Sequence, residues 1–262
     1  MTEATTAKIH WNGGVQGEAI NILKEDGGMI VSPTKVGYII MTSDDKGLER
    51  KFAAKNRKRN KPGVVLCGSV EQVKELAQMT PEIEQMYQQH WDEDILLGCI
   101  LPWKEEAKSK IPNDGTKNLM MDKRETSCFV IKFGTPSENI AKEMWEKYGK
   151  FSFASSANPS GKGNRGLVAG IGDQIENAAD LIIEADDYVA SIQPDKTLDT
   201  RYEQGAMVSM VDEAGKLIPE QNGAVGIQPA PIVIRKGLDV DKIMKIMSDI
   251  FSSWDYRHGF YY

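Results

Sequence analysis

The chain has 262 residues, 40% apolar and 8% aromatic, enough to bury a core in one large domain. Its formal net charge is −6, which excludes a general polycation, so an anionic ligand must be met by a local cluster of positive charge. No apolar run reaches the roughly 20 residues that span a bilayer. Residues 1–10 lack the apolar centre of a secretion signal, so the expectation is a soluble, cytoplasmic protein with no membrane partner.

Residues 17–25 have the spacing of a short amphipathic helix, carried by Ala19, Ile20, Ile22 and Leu23. Gly27-Gly28 ends it, and a short buried strand comes next over 29–31, stopped by Ser32-Pro33. A second strand is predicted over 38–41, a helix over 48–56, and a third strand over 64–67 after Pro62-Gly63. Helices over 70–77 and 81–90 each carry a serine or threonine in capping position. A strand over 95–101 leads into 104–126, a polar, irregular stretch that reads as a long loop or lid.

A strand over 128–133, a helix over 137–148 and a strand over 151–154 come next, then a glycine-rich loop over 160–172. A short helix over 173–179, strands over 181–184, 208–212 and 232–234, and a helix over 240–251 complete the pattern. The tail over 254–262 is aromatic; docking onto the domain is its expected role, a separate binding role the alternative. Strands and helices mix without strict alternation, which predicts an α/β fold on a twisted mixed sheet flanked by helices. Cys67, Cys99 and Cys128 are widely spaced among apolar neighbours, with no C-x-x-C pair. They read as buried small hydrophobes and signal neither zinc nor a disulfide.

Two clusters carry candidate chemistry. Lys55-Asn56-Arg57-Lys58-Arg59-Asn60-Lys61 packs five positive charges into seven residues, between a helix and a buried strand. A solvated cap on the helix dipole is the plain reading. Anion binding is the sharper one, since sheet edges of this kind collect ligands and lysine and arginine suit phosphate and carboxylate. Phe151-Ser152-Phe153-Ala154 is a strand that runs into Ser155-Ser156-Ala157-Asn158-Pro159-Ser160-Gly161. Ser156 and Asn158 can bond a ligand without bulk, although an ordinary Ser/Asn-Pro turn has the same composition. His10, His90 and His258 have no visible catalytic partner, and no G-x-S-x-G elbow supports a serine hydrolase.

Pro33-Thr34, Lys55-x-Arg57 with Lys61-Pro62, Ser155-Ser156-Ala157-Asn158-x-Ser160-Gly161 and Ile234-Arg235-Lys236-Gly237 succeed one another in the order of a known family. Over about residues 15–243 the chain resembles the YrdC/Sua5 proteins, the threonylcarbamoyl-AMP synthases and their relatives; 244–262 would be a helix end and the aromatic tail. The resemblance implies a YrdC-like twisted mixed sheet with a concave, basic ligand-binding face. It implies ATP with Mg²⁺ as cofactors, and bicarbonate and a small amine or amino acid as substrates of a nucleotidyltransferase that releases pyrophosphate. By the same resemblance Lys55 and Arg57 are catalytic. Lys61, Ser156, Asn158, Ser209 and Arg235 bind the nucleotide, and Thr34, Tyr38 and Lys132 line the substrate end. tRNA or a partner transferase is an implied acceptor. An RNA-binding module without adenylation, and a carbamoyl or acyl transferase of specialised metabolism, are the alternatives.

The pattern departs from the family at the substrate end. Lys35-Val36-Gly37-Tyr38-Ile39-Ile40 stands where the family has Asp-Thr-Val-Tyr-Gly-Leu, and Trp91-Asp92-Glu93-Asp94-Ile95-Leu96 replaces a Pro-Gly-Pro-x-Thr stretch. Lys132 stands on a strand where the family has an arginine; it can supply the charge but not the planar fork. The segment 104–126 is also reshaped, and 213–231 is longer than the family pattern implies. An altered small substrate is the expectation.

Overall fold

The computed structural model describes residues 6–56, 62–159 and 162–257. The first half of the chain runs β1 (Ala7–His10), α1 (Gly17–Lys24), β2 (Met29–Thr34), β3 (Gly37–Thr42), α2 (Asp45–Ala54) and β4 (Val64–Leu66). It continues through α3 (Val70–Leu76), α4 (Pro81–Asp92), β5 (Leu97–Pro102), α5 (Glu105–Lys108), α6 (Thr116–Met120) and β6 (Thr126–Ile131). The second half runs α7 (Thr135–Tyr148), β7 (Phe153–Ser156), α8 (Asp173–Ala178), β8 (Leu181–Glu184) and α9 (Asp186–Ile192). It ends with β9 (Ala206–Ser209), β10 (Ile232–Arg235), α10 (Val240–Ile250) and β11 (Asp255–Tyr256).

The strands join one mixed sheet in the order β1-β8-β2-β3-β7-β4-β6-β5-β9-β10-β11. The α/β class with a mixed sheet flanked by helices is therefore as the sequence predicts. Ser32-Pro33 does not stop β2: the strand runs on to Thr34, with Pro33 opposite Tyr38. Thr34 closes the two-residue turn to β3 by donating from Oγ1 to the Gly37 carbonyl at 2.6 Å and accepting from Val36 N–H. Gly37 takes φ +128°, a backbone that glycine alone adopts without strain.

Alternation along the central strands sends side chains to two different environments. Val65, Cys99, Phe129, Ile131 and Val208 face a sealed core under α3, α4 and α10. Trp103 sits at its centre, its ring 5.0 Å from Phe129 and its Nε1 bonded to Ser127 Oγ at 2.8 Å. The segment 104–126 belongs to this core and is not a lid: it holds α5 and α6, and Ala107, Ile111, Leu119, Met120 and Met121 are buried in the same cluster. Helix α10 runs through residue 243, with Ile243, Ile246 and Met247 all packed there. Tyr256 of the tail pairs in parallel with Val233 of β10, so the described part of the tail docks on the sheet edge; residues 258–262, His258 among them, lie outside the described residues.

All three cysteines are buried and free. Among the described residues no helix is long and apolar enough to cross a membrane.

Candidate functional site

The opposite face of the same central strands is the floor of a cavity of about 600 Å³. Val64 and Leu66 of β4, Val130 of β6, Gly98 of β5 and Met207 of β9 form that floor. The register lays Leu66 beside Val130, Val130 beside Gly98, and Gly98 beside Met207. Gly98 keeps the floor low, because a Cβ there would stand 2.9 Å from Cys128 Sγ and 3.3 Å from Val130 Cγ2. The size lies within the roughly 300–1,000 Å³ of small-molecule pockets.

One lip of the cavity is the end of β7 and the turn after it, where Ser155, Ser156 and Asn158 line the opening. The structure brings Lys55 to this turn. Its side chain leaves the end of α2, is buried, and donates from Nζ to the Ser156 carbonyl, to Ser156 Oγ at 3.2 Å and to Asn158 Oδ1 at 3.5 Å. A buried ammonium needs such acceptors, so Lys55 and the turn hold each other in place. Lys55 stands behind the lip and is not itself a lining residue. Asn164 pins the other side: Nδ2 donates to the Tyr38 and Ala157 carbonyls at 2.9 and 3.0 Å, and Oδ1 accepts from Gly166 N–H at 3.0 Å.

Of the remaining expected residues, Thr34, Tyr38 and Arg235 line the cavity. Tyr38 directs its hydroxyl away from it, donating to Asp186 Oδ1 at 2.6 Å and accepting from Ala185 N–H at 2.9 Å. Burial, with Asp186 beside it, pushes that phenol well above its ordinary range, so it stays protonated. Arg235 is held through Nε, which donates to the Gly205 carbonyl at 3.0 Å. Ser209 lies two residues beyond Met207, where it lines a second cavity of about 700 Å³ with Arg124, Asp212 and Arg257. Lys132 does not line the first cavity: its Nζ is 3.2 Å from Asp94 Oδ1 and 4.4 Å from the Trp91 ring centroid. Lys35 takes the same carboxylate at 2.9 Å; burial is the largest single influence on Asp94 and raises its pKa, but the two lysines together outweigh it and hold the carboxyl below its ordinary range. Arg57 and Lys61 lie outside the described residues.

Sequence reading misses the far rim. The connection from α9 to β9 ends in Arg201–Gly205, and these five residues all line the cavity. Lys162, Arg201 and Arg235 are the cations among the described lining residues, and Glu203 is the one carboxylate. This excess of positive charge in an acidic protein is the local cluster that an anionic ligand requires. No pattern signals it, because Arg201 stands alone in a polar stretch. Cys128 also lines the cavity, but burial pushes its thiol up to about 12 against the pull of Arg235, so it is no thiolate nucleophile. Among the described residues no three His, Cys, Asp or Glu side chains converge as a metal site.

The Sua5/YciO/YrdC family model, described as "Telomere recombination", matches residues 22–208. No curated protein matches. Among solved structures, a hypothetical protein from Streptococcus mutans is 65% identical, with a TM-score of 0.94 over 98% of this chain and 99% of that one. P. abyssi Sua5 complexed with L-threonine has a TM-score of 0.62 at 19% identity, covering 94% of this chain and 62% of that one. E. coli YciO has a TM-score of 0.60 at 16% identity, over 90% and 96%. The two distant structures share the fold, and the match over 22–208 settles the kinship: the chain belongs to the Sua5/YciO/YrdC family.

Proposed function

We propose that the chain is a threonylcarbamoyl-AMP synthase-like nucleotidyltransferase that makes a carbamoyl-adenylate from ATP, bicarbonate and a small amine or amino acid. The observation that carries this reading is the segment 155–158, fixed by buried Lys55 at the lip of an apolar-floored cavity with a cationic rim. An apolar floor suits a base and ribose, and small hydroxyl and amide groups at the lip suit close approach of phosphates.

In the reaction, the amine and bicarbonate condense to a carbamate with loss of water. A carbamate oxygen then attacks the α-phosphorus of ATP, forming the new P–O bond as the bond to pyrophosphate breaks. No enzyme nucleophile is required, and the protonated Cys128 thiol supplies none. The chain's task is to align two anions and offset their charge, which is where preorganised donors accelerate transfer. Ser156 and Asn158 position the nucleotide, Lys55 holds both in place, and Arg235 adds positive charge from β10. Glu203 is the one lining carboxylate among the described residues, which offer no cage for Mg²⁺. The residues present fit an ion held mainly by the phosphates of ATP, whose charge it would screen.

The departures at the substrate end support a substrate other than the family's usual one. Lys132, the stand-in for the strand arginine, is engaged by Asp94. The test is pyrophosphate release with Mg²⁺-ATP, bicarbonate and a panel of amino acids, beginning with the L-threonine held by the Sua5 structure. Bicarbonate-dependent release with one class of amine supports the reading; no release with any amine, together with no ATP binding, contradicts it.

A further inference from the structure

The charged groups of the cavity are not all used by the nucleotide reading, and Arg201 stands out. Its Nη1 donates to the Arg165 carbonyl at 3.1 Å, while its Nε is buried without a hydrogen-bond partner. No carboxylate among the described residues pairs with it, although Glu203 lines the same cavity two residues on. Arg165 takes Asp199, and the Glu203 carboxylate accepts from Arg165 N–H, so the nearby acids are turned to other donors.

The seat of the guanidinium is built into the backbone. Gly166 has φ +69°, and a Cβ there would come within 2.8 Å of Arg201 Nη1 and 2.7 Å of Val189 Cγ1. The side chain is thus held from one side and left with an unsatisfied donor. A buried N–H without an acceptor is costly, and a planar guanidinium edge is completed best by a carboxylate or phosphate. Arg235 differs, since its Nε is satisfied by Gly205.

We propose that Arg201 is the receptor of an oxyanion subsite in the cavity, and that it takes the carboxylate of the small co-substrate. The second half rests on the adenylation reading. The nucleotide elements reach the cavity from the end of β7 and the turn after it, whereas Arg201 reaches it from the connection between α9 and β9. Two anion-receiving points carried by separate elements suit two anionic reactants. One guanidinium edge matches a monoanionic carboxylate, while a triphosphate calls for more positive charge than one guanidinium carries. Arg201 would then select amines that carry a carboxylate over amines that do not.

Nitrogen–proton correlation spectra of isotope-labelled protein test this through the arginine Nε–H signals. The signal lost in Arg201→Lys identifies Arg201, and the probes are succinate, inorganic phosphate and Mg²⁺-ATP, each added alone. The expected result is a saturable shift of the Arg201 signal with succinate, and succinate binding at least about tenfold weaker in Arg201→Lys, which keeps the charge but loses the fork. A merely structural arginine would not respond to succinate. A shift with Mg²⁺-ATP or phosphate but not succinate would give the subsite to the nucleotide and overturn the co-substrate assignment. No shift with any probe would overturn the subsite. A succinate shift in a protein that binds no Mg²⁺-ATP would uphold the subsite while removing the adenylation reading.

Discussion

The two faces of the central strands are made by alternating residues of the same strands and do opposite things. Along β6, Phe129 and Ile131 enter the sealed core, while Cys128 and Val130 line the cavity. Along β5, Leu97, Cys99 and Leu101 are core residues, while Gly98 gives up its side chain to keep the cavity floor low. The sealed face gains stability from close packing. The open face forgoes that packing at its centre and surrounds the gap with Lys162, Arg201, Arg235 and the turn tied to Lys55. Substitutions should therefore separate: those on the sealed face change stability and spare binding, and those on the open face change binding more than stability.

The largest effect is expected at Trp103→Ala, which removes a fully buried ring and its bond to Ser127. Urea unfolding should show a loss of about 3–5 kcal/mol, with ATP affinity of the folded protein unchanged. Gly98→Val should cost about 1–3 kcal/mol by overpacking against Cys128 and Val130, and it should also weaken ATP binding by raising the floor. A Gly98→Val protein that binds ATP as before would show that the cavity is not where the nucleotide sits. Tyr38→Phe lies between the faces. Loss of the hydroxyl bonded to Asp186 and Ala185 should lower stability by about 1–2 kcal/mol without reshaping the cavity, again read by urea unfolding.

The smallest effect is one of pH. His90 is buried, and burial depresses its pKa against the pull of the Met86 carbonyl 2.7 Å from Nδ1. The folded protein keeps the ring neutral while the unfolded chain takes a proton near its ordinary pKa of about 6.5. Stability from this group is therefore full above that value and falls as the pH drops toward the folded pKa, by at most about 1.4 kcal/mol per pH unit. His90→Gln should flatten this slope in urea unfolding between neutral and mildly acidic pH, whatever it costs in absolute stability.

The same contrast explains what can be read from the sequence. Strands β2, β5 and β8 announce themselves through the apolar runs 29–31, 99–101 and 181–183. The Lys55 and Ser156-x-Asn158 groups are legible as motifs, and the structure joins them through direct hydrogen bonds across about a hundred residues of chain. The segment 104–126 reads as a loop because its buried residues are thinly spread among charged ones, so helical spacing is weak until the core supplies it. Edge strand β1 is largely exposed and pairs with β8 through its backbone, and β11 is two residues long, so neither has an apolar signature. Ser209 and Lys132 fit the family's order in sequence, but strand geometry carries Ser209 to a second cavity and Asp94 draws Lys132 aside. Arg201 acquires meaning only when the chain from α9 returns to the sheet, which no local pattern foretells.

The central claim is that the open face binds a nucleotide at the turn held by Lys55. Calorimetric titration of Mg²⁺-ATP into the wild type and Lys55→Ala at moderate salt tests it most directly. The account predicts saturable one-to-one binding to the wild type, weakened at least about tenfold in Lys55→Ala, a difference of about 1.4 kcal/mol or more. Equal binding to both proteins, or no binding to the wild type, would contradict it.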